Sequence, residues 1–195
     1  LEKLLFPRRS QAQYILDMVV LLDLNVLFLL RCELDPKLLV DAGLSMSQGI
    51  SAGAILQAGG LLGALIMGGL GSKFAINKLS AWFFILSVIF ILIYGWSGAN
   101  LALLMVLSGA MGFFLVGAMI GLYTIAPELY DPVSRVTGVG LAIGVGRLGA
   151  IAAPFAGGLM LEAQMGVGYI YGAFAAPLIF AALAVRSISL PSSLK

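Results

Sequence analysis

The sequence predicts an all-α integral membrane protein, with six transmembrane helices arranged as a 3+3 inverted repeat. Three observations point there. Of 195 residues, 61% are hydrophobic and only 10% charged, where soluble domains carry roughly 25% charged residues. No charge occurs between Leu79 and Pro127, a stretch far longer than the ~20 residues one crossing needs. Finally, apolar runs and short polar links alternate along the chain, and two of those runs, the second and fifth, are glycine-rich and occupy matching places in two triplets. Inverted triplets are a common plan for secondary transporters.

Residues 1–13 are a basic lead-in with Lys3, Arg8 and Arg9. They do not begin a signal peptide, because the apolar run that follows is too long, contains acids and lacks a small-residue cleavage site. The first span, 14–30, holds Asp17, Asp23 and Asn25. At about 100° per residue, Asp17 and Asp23 stand about 120° apart. Both can face a protein-lined interior, which makes them proton-coupling candidates, but they cannot share one tight site. A polar loop over 31–47 follows, with Glu33, Asp35, Lys37 and Asp41.

The second span, 48–71, has Gln57 near its middle and glycines four apart at Gly49/Gly53 and Gly59/Gly63. Such spacing lets another helix approach closely. Lys73 and Lys78 mark the link to the third span, 79–96, which is bulky and aromatic, with Trp82 and Trp96 placed as interfacial anchors. The turn signal Ser97-Gly98-Ala99-Asn100 divides it from the fourth span, 101–125. The fifth span is 136–161 and the sixth 167–185, with a tail over 187–195. Six spans put both termini on one side. Most Lys and Arg fall on that side, so the positive-inside rule predicts cytoplasmic ends in a bacterial-type inner membrane.

Composition excludes several chemistries. There is no histidine and one cysteine, Cys32, so His-based nucleophilic pairs, His metal sites and internal disulfides are ruled out. Glu33, Asp35 and Asp41 form only a loose loop cluster, better read as hydrated than as a metal site. No basic run long enough for nucleic acid exists. No cofactor and no enzymatic activity are expected. Gly144-Val-Gly146-Arg-Leu-Gly149 fits G-x-G-x-x-G, but it lies inside an apolar run with no βαβ unit to cradle a pyrophosphate. Helix packing by Gly140, Gly144 and Gly149 explains it better.

Arg147 is the one charge in the fifth span. A cation there costs about 2.5–3.5 kcal/mol on insertion scales and usually marks function. It lies twelve residues past Arg135, roughly 18 Å along a helix. It either meets an acidic substrate group in a wet cavity, pairs with a protein acid such as Asp17 or Asp23, or snorkels to an interface. Glu128 and Arg135 flank the turn before this span and form either a purely local turn or a charge network that clamps helices in one transport state. Gln57 and Tyr123 are candidate hydrogen-bond donors, towards a ligand or towards a neighbouring helix.

The run PELYDPVSRVTG, from Pro127 to Gly138, resembles the turn between the tenth and eleventh helices of major facilitator superfamily transporters. Its continuation GVGLAIGVGRLGAIAAP, Gly138 to Pro154, is similar to the aromatic acid:proton symporters, the group that includes 4-hydroxybenzoate transporters. Leu38 to Leu70 is similar to that family's eighth helix and the loop before it. The resemblance implies the C-terminal half of a twelve-helix carrier, with an N-terminal six-helix half outside this chain, which starts at Leu1 rather than Met. It implies a small aromatic or other organic acid and protons as cargo, lipid around the bundle, and Arg147 as the carboxylate partner. Spans one, two, four and five would then line the cavity, and three and six would face lipid. Two departures stand out. Ser72, Lys73 and Ala75 replace the Asp, Arg and Gly of the family's G-x-x-x-D-R-x-G loop, and residues 16–35 are unusually charged. Carriers of a sugar, drug or dicarboxylate, or a non-transporting membrane remnant or scaffold, are the alternative readings.

Overall fold

The computed structural model describes residues 45–97, 100–129 and 135–187. The first span with Asp17 and Asp23, the acidic loop cluster and the tail beyond residue 187 lie outside them. Among the described residues the chain forms five α-helices and no strand: α1 Met46–Gly71, α2 Ile76–Trp96, α3 Leu101–Leu129, α4 Arg135–Glu162 and α5 Val167–Ser187.

Local chemistry sets the helix ends. Ser45 caps α1, its side chain accepting from the Gln48 amide while the Gln48 side chain accepts from the Ser45 amide, a reciprocal capping box. Asn100 heads α3 in a similar way, its Oδ1 accepting from the Leu103 amide at 3.3 Å. α3 runs four residues past Ile125 and keeps Pro127 inside it. α4 ends where the Met165 amide reaches the Met160 carbonyl at 3.1 Å and Gln164 takes φ 52°, the left-handed cap usually given to glycine.

α3 is the central helix. It packs along α1 on one flank and α2 on another, while α5 packs along α2. α4 touches α3 sparingly, although Ala142 reaches the buried core. The α1–α3 pair is held by glycines. A Cβ on Gly59 would strike the Gly109 carbonyl, one on Gly63 the Phe113 carbonyl, and one on Gly112 the Leu56 carbonyl. Residue numbers rise together along this contact, so α1 and α3 run parallel, as helices two apart in a membrane bundle must. Gly53 meets nothing within 4 Å. By the same register it stands opposite the first turn of α3, where the neighbour is only beginning.

The α2–α3 seam is aromatic. Phe83 packs against Phe113 and Phe114 with centroids 5.8 and 5.3 Å away, and Phe90 stacks on Phe114 at 5.4 Å. Each such pair adds about 0.5–1.5 kcal/mol beyond its buried area. α5 meets α2 through Tyr171 against Tyr94 at 5.5 Å.

The outside of this bundle is apolar. Leu65 is 66% exposed, Val106 70% and Phe180 71%, which water would penalise and lipid would not. By length and composition α1, α2, residues 101–128 and residues 167–186 can each cross a membrane. The protein is an all-α integral membrane protein.

Candidate functional site

Arg147 lies in the middle of α4, twelve residues after Arg135 and fifteen before Glu162, roughly 18 and 22 Å from the helix ends. It is exposed, and among the described residues it makes no ion pair. Gly138, Ala142 and Gly146 form the buried side of α4. On the opposite side, Gly140, Gly144, Arg147 and Ile151 are all exposed. Their spacing of four, three and four residues puts them on one face.

The glycine face expected to pack against a helix behaves differently in α1 and α4. In α1 it is pressed against α3. In α4, a Cβ at Gly140 or Gly144 would meet nothing within 4 Å, so no described helix sits there. Gly149 continues the same helix one turn on. A helical side chain leans towards the N-terminus, so Arg147 projects back over the turn that contains Gly144. Sequence reasoning gave no role to Pro154. It lies inside α4 and cannot donate to the carbonyl four residues back, which weakens the helical ladder one turn after Arg147. An isolated proline in an apolar run is the signal that could have revealed it.

The other candidates fall at different heights. Counted back from Leu129 at the end of α3 at 1.5 Å per residue, Tyr123 is six residues in, about 9 Å. Arg147 is about 18 Å along α4 from Arg135. The Gly59–Gly109 contact puts Gln57 opposite residue 107, twenty-two residues from Leu129 and about 33 Å in. Tyr123 and Gln57 therefore stand at well-separated levels along the α1–α3 pair, about 24 Å apart. Tyr123 is half-buried against the core, while Gln57 is exposed on α1.

Glu128 and Arg135 are not joined. Glu128 is exposed, and the buried Nε of Arg135 has no hydrogen-bond partner among the described residues. No group of three metal-ligating side chains occurs among the described residues either. An open groove of about 540 Å³ runs between α1 and α3 past Ile55, Leu62, Val106 and Phe113. It is lined by apolar residues throughout and offers nothing to a carboxylate.

The site thus centres on one cation in the middle of a membrane-length helix, with no described helix against its glycine face. No family model matches the chain. The chain is 33% identical over 194 residues to the 3-(3-hydroxy-phenyl)propionate transporter of Escherichia coli (strain K12), covering 95% of this chain and 45% of that one. It is 33% identical over 150 residues to a gallate transporter of Pseudomonas putida, covering 77% and 33%. Against a 4-hydroxybenzoate transporter of Pseudomonas aeruginosa it is 30% identical over 176 residues, covering 90% and 39%. The chain is a homologue of aromatic acid transporters. This agrees with the resemblance carried by residues 38–70 and 127–154.

The chain spans less than half the length of these relatives. The named cargoes of the relatives are all aromatic carboxylates, and Arg147 is a group that can pair with a carboxylate through two parallel N–H donors.

Proposed function

We propose that the chain is the C-terminal half of a proton-coupled carrier that takes up small aromatic or other organic acids by alternating access. The observation that carries this reading is Arg147: exposed on an open glycine face, without an acidic partner among the described residues, and about 18 Å from the nearer end of α4. A buried structural ion pair would occupy the guanidinium, whereas a substrate cation must stay free until cargo arrives. The relatives' aromatic acid cargoes support the same assignment.

In this mechanism Arg147 binds the substrate carboxylate, and Tyr123 of α3 supplies a hydroxyl to the ligand. Gln57 serves a different level of the path. Asp17 and Asp23 remain the candidates for carrying the coupling proton. Glu128 and Arg135 form a charge contact at one end of the cycle and separate at the other. An N-terminal half supplies the opposite cavity wall, both ends of this half face the cytoplasm, and the membrane is the bacterial inner one.

The test is uptake of labelled 4-hydroxybenzoate and gallate by cells expressing the protein from its complete reading frame. Arg147→Gln abolishes uptake while membrane abundance stays at the parent level. Parent-level uptake by that variant would remove Arg147 from the substrate path.

A further inference from the structure

A second basic site lies away from Arg147, on the outer side of the bundle. α2 and α5 run antiparallel: Tyr94 and Trp96 meet Tyr171 and Gly168 at one end, and at the other the start of α2 lies beside the end of α5. There Lys78, Ala81, Trp82, Ile85 and Arg186 line a pocket of about 190 Å³. Two cations from different helices therefore converge on one small space, with an indole beside them.

Nothing among the described residues neutralises them. No acid lines the pocket, and neither Lys78 nor Arg186 makes an ion pair among the described residues. Glu128, the described acid at this end of the bundle, is exposed and does not belong to the lining. The N-terminus of α2, which has no side-chain cap from Ala75, also brings the positive end of its backbone dipole to the same end.

The surroundings indicate what the pocket would hold. Trp82 is 59% exposed and sits where an interfacial indole belongs. From it an apolar strip continues down α2 through Ile85, Ile89 and Ile93, beside Ile179 and Leu183 of α5, all of them exposed. Polar at its mouth and greasy along its length, this surface has the pattern of a phospholipid.

We propose that Lys78, Trp82 and Arg186 form a binding site for the headgroup of an anionic phospholipid, with its acyl chains lying in the α2–α5 groove. The guanidinium and ammonium contact the phosphodiester oxygens, Trp82 packs against the glycerol region, and the isoleucine strip holds the tails. Basic pockets between transmembrane helices bind anionic headgroups in this way. The charge complementarity selects phosphatidylglycerol or cardiolipin over zwitterionic lipid. The site is independent of the cargo path.

The test uses the purified protein from its complete reading frame, titrated with brominated phosphatidylglycerol or brominated phosphatidylcholine, and reads the part of the tryptophan quenching that Trp82→Phe removes. Two membrane-facing cations give an expected preference for the anionic lipid of about 30-fold, and that preference disappears in Lys78→Gln/Arg186→Gln. Thermal unfolding with the same lipids shows stabilisation by phosphatidylglycerol in the parent and none in the double variant. Equal quenching by both lipids, an unchanged preference in the double variant, or stabilisation by inorganic phosphate equal to that by the lipid would each overturn the proposal, the last by showing a free-anion site.

Discussion

Gly63 of α1 lies so close to Phe113 of α3 that the carbonyl of Phe113 occupies the place a Cβ would take. Backbone meets backbone at this point. The same holds for Gly59 against Gly109 and for Gly112 against Leu56, so four glycines on two helices share one seam. Membrane helices gain little from hydrophobic sorting and depend on such close packing.

Gly63→Val is therefore expected to force α1 and α3 apart. Overpacking a fitted core costs about 1–3 kcal/mol, and here the obstacle is main chain, which cannot rotate aside. Gly53→Val is the control, because nothing lies within 4 Å of that position. Thermal unfolding in detergent should show a clearly lowered midpoint for the first variant and a near-parent midpoint for the second. Equal behaviour of the two would mean the seam is not formed.

Gln164 ends α4 in the left-handed region with φ 52°. An L side chain there costs about 1–2 kcal/mol, and glycine avoids most of that cost. Gln164→Gly should raise stability by about 1 kcal/mol, the gain being reduced by the greater freedom glycine has when unfolded. The change is small enough to leave transport unaltered. A lowered unfolding midpoint would show that the α4–α5 link does not adopt this cap.

The composition and run lengths of the sequence reveal the membrane class and the approximate place of each described helix, because lipid demands about 20 apolar residues in a row. Helix ends were less legible. Pro127 reads as a stop but sits inside α3, and the left-handed cap at Gln164 carries no glycine to announce it. Glycine spacing was only half informative: Gly59 and Gly63 contact a neighbour, whereas Gly140 and Gly144 contact none among the described residues. Spacing defines a face, but what covers that face depends on the partner helix. The height of Gln57 was invisible for a similar reason. It follows from the Gly59–Gly109 register, a contact fifty residues apart in the chain. Arg147 alone could be singled out directly, since one cation in an apolar run is conspicuous without any neighbour.

The open face of α4 makes the strongest demand on experiment. If Gly144 and Arg147 border a water-filled path, a cysteine at either position is reachable by a membrane-impermeant thiol reagent. Cys32, the chain's one native cysteine, is first replaced by serine. Gly144→Cys and Arg147→Cys should then label in intact membranes, and an aromatic acid should slow the labelling of Gly144→Cys by occupying the adjacent space. Ala142→Cys, at a position only 1% exposed in the core, should stay unlabelled. Removing the charge should not weaken the protein: an unpaired cation in the membrane interior is a cost of about 2.5–3.5 kcal/mol on insertion scales, so Arg147→Gln is expected to unfold at the parent temperature or above while transport is lost. A fall in stability would instead point to a structural ion pair. Labelling of Ala142→Cys alone would reverse the assignment of the two faces of α4.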